Sequence, residues 1–118
     1  MVRRLLWPGL QMTRGSVWWV EFDPAVGSEI RKTRPAVIVS NDTANKYLAR
    51  VVVVPLTSNV SRLYPGEAVV TVNGDTSKAM TDQIMSADKS RLKNKISELS
   101  DSDMIVLETA MKLFLGFQ

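Results

Sequence analysis

Apolar positions along the chain form several short runs and one longer periodic segment. Residues 16–22 and 36–40 are rich in β-branched and aromatic side chains, which is typical of strands. Pro35 cannot donate to a sheet, so we expect it at the first residue of the second strand. The run at 50–56 has no alternation and predicts a strand buried on both faces. Further strands are predicted at 67–72, 80–86 and 95–97, with a turn at 73–75.

The last segment carries the clear helical pattern. Ser100 stands where a helix N-cap is expected and Gly116 where a C-terminal cap glycine is expected. Apolar residues recur between them at helical spacing: Met104, Leu107, Met111 and Phe114. Others widen the apolar surface beyond one stripe: Ile105, Val106, Leu113, Leu115 and Phe117. Deep burial in the monomer and a homodimer face both explain that width.

The order of these elements predicts a mainly β fold. Five or six short strands followed by one helix, with a helical turn at 41–49, indicate a small antiparallel barrel with a C-terminal helix. A barrel of this size has no room for an enclosed ligand, so function is expected on outer loops or at an oligomer interface. The 118 residues predict one domain, 13–118, preceded by an N-terminal extension at 1–12 that we expect to be disordered.

The amino-acid composition limits the kinds of catalytic and metal-binding site that the protein can form. The chain has no Cys and no His, which excludes thiolate nucleophiles, zinc–thiolate sites and Ser-His-Asp triads. We therefore expect no metal and no cofactor. Residues 1–62 hold nine Lys/Arg and four Asp/Glu, whereas 63–118 hold six and eight, a polarity compatible with nucleic acid binding. No stretch is long enough for a signal peptide or membrane span, and we expect a cytoplasmic protein.

Three polar patches are candidate sites. The first is the loop with Gly27, Ser28 and Glu29 beside the cations Arg31, Lys32 and Arg34. The second is 57–59, directly after the buried strand, and the third is the pair at 82–83. Each has a plain alternative: a solvated loop, a polar turn, and the solvent face of a strand.

The available side chains favour RNA over DNA as a substrate. RNA carries its own nucleophile, the 2′-hydroxyl, so a protein without His or Cys needs only to orient the attack and neutralise the phosphorane. Trp18 and Trp19 lie on opposite faces of the first predicted strand. We expect one in the core, and the other either against a base or, the safer interpretation, at a dimer surface.

The ordered motifs resemble the MazF/PemK/Kid family of bacterial toxins. They are Arg14–Gly15, 17–24 (VWWVEFDP), 27–29 (GSE), 34–37 (RPAV), 54–58 (VPLTS), Tyr64–Pro65 and 82–84 (DQI), in that order. The resemblance implies an SH3-like barrel and a homodimer. It also implies a metal-independent endoribonuclease of a type II toxin–antitoxin system, which cuts single-stranded RNA to a cyclic phosphate or 3′-phosphate and a 5′-hydroxyl.

The resemblance also implies roles for individual residues. Arg34 and Thr57 match the family's catalytic pair, and Glu29 is the nearest carboxylate for a general base, although it can equally contact a base edge. The expected substrate contacts are Ser28, Arg31, Lys32, Ser58, Asn59, Arg62 and Gln83. Part of the family has arginine at the position of Met80 and a basic residue at that of Met85, so this chain depends on Arg34 and Thr57.

The expected partners are single-stranded RNA, a second copy and a MazE-like antitoxin with an acidic tail. We expect no membrane contact, and operator DNA contact only through the toxin–antitoxin complex. Two alternatives remain at this point. One is a non-catalytic toxin of the same barrel fold that binds DNA gyrase, and the other is a small barrel that binds RNA or protein.

Overall fold

The computed structural model describes residues 12–22 and 32–118. In chain order its elements are β1 (Ser16–Phe22), β2 (Lys32–Ile38), α1 (Asp42–Tyr47), β3 (Arg50–Thr57), β4 (Ala68–Val72), β5 (Asp75–Ala79), a 3₁₀ turn (Thr81–Gln83), β6 (Met85–Asp88), a second 3₁₀ turn (Lys89–Arg91), β7 (Leu92–Glu98) and α2 (Asp101–Leu115). The predictions for residues 1–11 lie outside the described residues.

The strands form one curled antiparallel sheet in the order β4-β5-β3-β2-β1-β7. β3 is its centre, with β2 along one side. Along the other side, β6 pairs with residues 50–53 and β5 with residues 56–57. The predicted fold class, mainly β with a curled antiparallel barrel and one main C-terminal helix, is confirmed.

The interior consists of two apolar clusters on opposite faces of the sheet. Trp18, Val20 and Val53 belong to the cluster inside the curl, whereas Val54 belongs to the cluster beneath α2, together with Leu107. The adjacent residues Val53 and Val54 are both fully buried, which confirms the prediction that β3 is covered on both faces. Adjacent side chains of β3 therefore contribute to both clusters.

Both helices begin at the predicted N-caps, and α2 ends at the predicted cap glycine, whereas α1 ends at Tyr47, two residues before the predicted end at Ala49. The Ser100 hydroxyl accepts a hydrogen bond from the Asp103 backbone N–H at 3.1 Å, and the Asn41 side chain does the same for Ala44 at 2.8 Å. Gly116 ends α2 in the left-handed conformation at φ +79°, where an L side chain is strained. No helix in the described part of the chain is long and apolar enough to cross a membrane.

The strand predicted at 80–86 begins later than expected, because β6 runs from Met85 to Asp88 and residues 81–83 form a 3₁₀ turn instead. The Met80 N–H donates to the Pro55 carbonyl at 2.9 Å, and the chain then turns through the first 3₁₀ turn. The buried hydroxyl of Thr81 donates to the Gly66 carbonyl, while Asp82 faces solvent. A buried polar anchor therefore replaces strand pairing along this edge of β3.

Several strand boundaries also differ from the predictions. Pro35 is the fourth residue of β2 rather than its first, and lies opposite Trp19 of β1. Among the described strand pairs, β2 meets β3 only from Ala36 onward, so Pro35 lies where β2 is an edge. β5 was missed because its sequence DTSKA is polar, and β7 extends beyond the predicted 95–97.

The width of the apolar surface of α2 is not explained by deep burial in the monomer. Leu107 is buried, but Ile105, Leu113 and Phe117 are 63%, 68% and 67% exposed. That interpretation is therefore wrong for these side chains. The face that remains uncovered is called the α2 apolar face below, and consists of Ile105, Val106, Leu113, Phe114, Leu115 and Phe117.

Candidate active site

Arg34 lies in the first half of β2 and is half-buried. It is opposite Val20 of β1, a fully buried residue of the cluster inside the curl. Because directly opposed residues of an antiparallel pair project to the same face, the Arg34 side chain starts from the inner face of the sheet. A planar, permanently charged guanidinium at this edge suits a phosphate group.

Thr57 is the last residue of β3 and is also half-buried. Its hydroxyl accepts a hydrogen bond from the Asn59 backbone N–H at 3.2 Å, the local geometry of a polar turn. One of the two acceptor lone pairs is used in this way, and the hydroxyl proton has no acceptor among the described residues. A donor at the end of a buried strand is held by the packing of that strand.

The strand register relates these two residues. β2 and β3 pair as Ala36 with Pro55, Val37 with Val54 and Ile38 with Val53. Continuing this register by two residues sets Arg34 opposite Thr57. Directly opposed residues have Cβ atoms about 5 Å apart in a regular antiparallel pair. The described ladder ends at Ala36 and Pro55, so Arg34 and Thr57 each lie two residues beyond its last pair.

The segment after Thr57, residues 58–67, is called the β3–β4 loop. It carries three of the predicted substrate contacts: Ser58, Asn59 and Arg62, all exposed. The Asn59 side-chain oxygen accepts from the Ser61 hydroxyl at 2.8 Å, and Arg62 Nη1 donates to the Tyr64 hydroxyl at 3.4 Å. The loop is therefore ordered by its own polar groups while these three side chains face solvent.

Gln83 lies on the first 3₁₀ turn and is exposed. The Met80–Pro55 hydrogen bond holds that turn two residues before Thr57 along β3. Met80 is half-buried and Met85 is 40% exposed, so the positions that are basic elsewhere in the resembled family carry apolar side chains here. Gln83 supplies an amide rather than a charge to this edge.

The remaining predicted residues belong to the segment before β2. Ser28, Glu29 and Arg31 lie outside the described residues. Lys32 is the first residue of β2, with its backbone opposite Phe22. Their predicted roles stay predictions.

A charged groove of about 580 Å³ is formed by β6, β7 and their neighbours, with Glu21, Arg50 and Asp88 among its lining. The Ser90 backbone N–H donates to the Asp88 carboxylate at 2.9 Å, and this hydrogen bond lowers the pKa of Asp88 below its ordinary value. Lys93 Nζ lies 3.9 Å from the Glu21 carboxylate. Both acids of the groove therefore have partners of their own.

A family model described as PemK-like, MazF-like toxin of type II toxin–antitoxin system matches residues 13–115. The chain belongs to this toxin family. The match covers β1 through α2, including both strands that carry Arg34 and Thr57. The resemblance inferred from the ordered motifs is confirmed.

Individual relatives of this PemK/MazF-like toxin carry more specific names. Endoribonuclease MazF9 of Mycobacterium tuberculosis is 39% identical over 113 residues, 88% of this chain and 96% of the relative. Endoribonuclease MazF of Staphylococcus epidermidis is 35% identical over 108 residues, 87% of this chain and 90% of the relative. The comparisons do not favour the gyrase-binding alternative.

Solved structures agree with this toxin fold. An endoribonuclease in complex with its cognate antitoxin, from a mycobacterial species, superposes with a TM-score of 0.74 at 28% identity. The superposition covers 90% of this chain and 96% of that one.

Sequence reasoning missed one buried residue beside Thr57, Lys78. It lies opposite Thr57 in the register of β3 and β5. Its side chain is 9% exposed, and Nζ donates to the Arg62 carbonyl at 2.8 Å and lies 3.2 Å from the Glu67 carboxylate. Glu67 also accepts from the Tyr64 N–H at 2.8 Å. Lys78 thereby fastens the β3–β4 loop to the strand beside Thr57. A lysine in the polar run DTSKA gives no sequence signal of burial.

Proposed function

We propose that this chain is the toxin of a type II toxin–antitoxin system and a metal-independent, sequence-specific endoribonuclease that acts on single-stranded RNA. The observation that carries the proposal is that Arg34 and Thr57 both lie two residues beyond the last β2–β3 pair, Ala36 with Pro55, at the same end of the two strands. The names of the relatives, at 39% and 35% identity over nearly the whole chain, support it.

The chemistry uses the substrate's own hydroxyl. The 2′-oxygen attacks the neighbouring phosphorus, the bond from phosphorus to the 5′-oxygen breaks, and the 5′-oxygen takes up a proton. The products are a 2′,3′-cyclic phosphate and a 5′-hydroxyl, and water can open the ring to a 3′-phosphate. The protein must hold the attacking and leaving oxygens in line and stabilise charge on the phosphorane.

Arg34 and Thr57 supply that stabilisation. The Arg34 guanidinium donates two parallel hydrogen bonds to the non-bridging phosphate oxygens, and the Thr57 hydroxyl donates a third. Arg34 is not a proton donor in this scheme, because the pKa of arginine exceeds about 12. Glu29 is the proposed base for the 2′-hydroxyl.

The remaining predicted residues bind the RNA around the scissile phosphate. They are Ser28, Arg31, Lys32, Ser58, Asn59, Arg62 and Gln83. Cationic contacts to phosphates of this kind make binding weaker as salt rises.

Two protein partners complete the proposal. A second copy covers the α2 apolar face, and an antitoxin with an extended acidic tail blocks the basic site. The mycobacterial neighbour solved with its cognate antitoxin supports the second partner.

The test uses purified protein, EDTA and a mixed pool of single-stranded RNA, with product ends identified by mass spectrometry. A parallel pool carries 2′-O-methyl groups. We expect cyclic-phosphate ends from the first pool and no cleavage of the second. Intact RNA in the first pool, with protein shown to be folded and free of antitoxin, would overturn the proposal.

Variants test the residue assignments in the same assay. Removing one well-placed donor to the transition state costs about 100-fold or more in rate, so Arg34→Ala and Thr57→Val should both lose most cleavage. Lys95→Ala and Thr71→Val are matched controls, since Lys95 belongs to an exposed pair and the exposed Thr71 hydroxyl makes no hydrogen bond to another described residue. Full cleavage by Arg34→Ala would remove it from the site.

A further inference from the structure

A groove of about 460 Å³ lies on the face of the sheet opposite to Arg34 and Thr57. Its floor contains Trp19 and Pro35, which are directly opposed in β1 and β2 and therefore project to the same face. Trp19 is 42% exposed, whereas its neighbour Trp18 is 5% exposed and buried inside the curl. The second tryptophan of the pair is thus presented to solvent on a rigid strand.

One wall of the groove carries polar side chains, while Val72 and Ile96 add apolar lining. The polar wall contains Asn73, Asp75, Thr76 and Ser77 from the β4–β5 hairpin, and Ser58 from the β3–β4 loop. Asn73 at φ +50° and Gly74 at φ +84° form the two-residue turn of that hairpin. Asn73 Nδ2 also lies 3.5 Å from the Ile96 carbonyl of β7, which ties the hairpin tip across the sheet.

The groove has hydrogen-bonding capacity that the fold does not use. The hydroxyls of Ser58, Thr76 and Ser77 make no hydrogen bond to another described residue. The described residues that line the groove include the carboxylate of Asp75 but no Lys or Arg. A phosphate is therefore disfavoured, whereas a planar, uncharged ring with donors and acceptors on its edge fits.

Two residues that line the groove directly follow the candidate active-site residues in the sequence. Pro35 follows Arg34, and Ser58 follows Thr57. A nucleotide adjoining the scissile phosphate can therefore reach over the end of the sheet, where β2 and β3 are no longer paired.

We propose that this groove binds one unpaired nucleobase of the RNA, next to the scissile phosphate, with Trp19 as the stacking surface. The proposal rests on the ribonuclease function proposed above. The base stacks on the indole, while the hydroxyls of Thr76 and Ser77 and the Asp75 carboxylate contact its edge. Trp19 then contributes to the choice of sequence as well as to affinity.

The experiment is a double-mutant cycle between protein and RNA. Cleavage mapping with the wild type first gives the cut sequence. A labelled 2′-O-methyl oligonucleotide of that sequence, and a set with one abasic residue at each position in turn, are then titrated by fluorescence anisotropy. Loss of one stacked base lowers affinity about tenfold or more. We expect one abasic position beside the cut to lose this amount with the wild type.

With Trp19→Ala, the intact oligonucleotide should lose a similar factor, and the same abasic position should cost nothing further. Trp19→Phe keeps a stacking surface and should retain most of the affinity. Tyr47→Ala is the matched control, because this exposed aromatic residue precedes the opposite end of β3 from Ser58. It should leave the whole abasic profile unchanged.

The proposal is overturned if Trp19→Ala binds the intact oligonucleotide like the wild type, or if its loss is the same at every abasic position. A changed sedimentation coefficient for Trp19→Ala without coupling to any base would assign Trp19 to a protein interface instead. Wild-type protein that cleaves no RNA overturns the ribonuclease proposal, and this one with it. Wild-type cleavage with an uncoupled Trp19 overturns this one alone.

Discussion

The β3–β4 loop and the α2 apolar face are neighbours that are stabilised in opposite ways. A Cβ atom on Gly66 would lie 3.3 Å from the Phe114 Cβ, so the two regions touch. The loop is fixed by buried polar anchors, Lys78 and Thr81, whereas the helix face leaves large apolar side chains in solvent. Polar anchors have direction and define where a backbone lies. Contacts between apolar surfaces have no such direction, and an exposed apolar face is stabilised when another surface covers it.

The difference indicates which part of the proposed site the monomer builds by itself. The loop beside Thr57 is anchored within the chain by the Lys78 and Thr81 side chains, which donate to the Arg62 and Gly66 carbonyls. The α2 apolar face keeps large side chains exposed, with Leu113 at 68%. Changes to the two regions should therefore separate folding from assembly.

The largest effect on folding is expected from Lys78→Met. The Lys78–Glu67 pair is almost fully buried, and removing one member of a buried pair leaves the other charge without compensation. We expect the free energy of unfolding to fall by about 3 kcal/mol in urea titrations. Lys95→Met is the control, because the exposed Lys95–Glu98 pair at 2.6 Å should contribute less than about 1 kcal/mol. Equal losses would mean that the Lys78 anchor does not stabilise the loop.

The next effect concerns assembly rather than folding. Leu113 is 68% exposed on the α2 apolar face, so Leu113→Glu should leave the monomer's stability nearly unchanged. If a second copy covers this face, self-association should weaken by about 2 kcal/mol or more in sedimentation equilibrium. Leu48→Glu changes a comparably exposed leucine, 57%, just after α1. A Leu113→Glu protein that associates like the wild type would place the dimer contact elsewhere.

The contact between the two regions is tested by a pair of glycines. Gly66 has φ +88° and Gly74 has φ +84°, so alanine is strained by a similar amount at both, about 1 kcal/mol. The added Cβ meets Phe114 only at position 66, while nothing lies within 4 Å at position 74. Gly66→Ala should therefore lower the thermal midpoint more than Gly74→Ala does. The reverse order would show that the loop and the helix are not in close contact.

The smallest effect is expected at an exposed carboxylate that contrasts with the buried Glu67. The pKa of Asp88 lies below its ordinary value of 3.8 because the Ser90 N–H donates to its charged form. Asp88 therefore stabilises the fold above pH 3.8, and this contribution is lost as pH falls through the lowered pKa. Asp88→Asn should be slightly less stable than the wild type at neutral pH. The gap should close in acid, and a gap that widens there would contradict the assignment.

The sequence predicts those elements whose signals are local. The caps at Ser100 and Gly116 and the spacing around Leu107 determine α2, and the unbroken apolar run determines β3. The ordered motifs also identify the family, because their residues and their order can be read directly from the sequence.

What the sequence does not show is contact between distant segments. The pairing of β2 with β3 places the ends of these strands, and with them Arg34 and Thr57, relative to each other. This pairing cannot be read from the sequence of either strand alone. The 3₁₀ turn at Thr81 depends on a carbonyl fifteen residues away, in the β3–β4 loop. The burial of Lys78 likewise depends on Glu67 and on the Arg62 carbonyl, which belong to another segment. The polar sequence of β5 therefore does not show that one of its charged side chains is buried.

The position of β1 between β2 and β7 has a consequence for synthesis on the ribosome. β7, residues 92–98, is the last strand of the sheet, and it pairs directly with the first described one. During translation, β1 can meet β2 early but obtains its second neighbour only after about seventy further residues, when β7 has been made. Leu92, opposite Val20, completes the inner cluster at the same late stage. The nascent chain therefore cannot finish the barrel until residues 92–98 have left the ribosome.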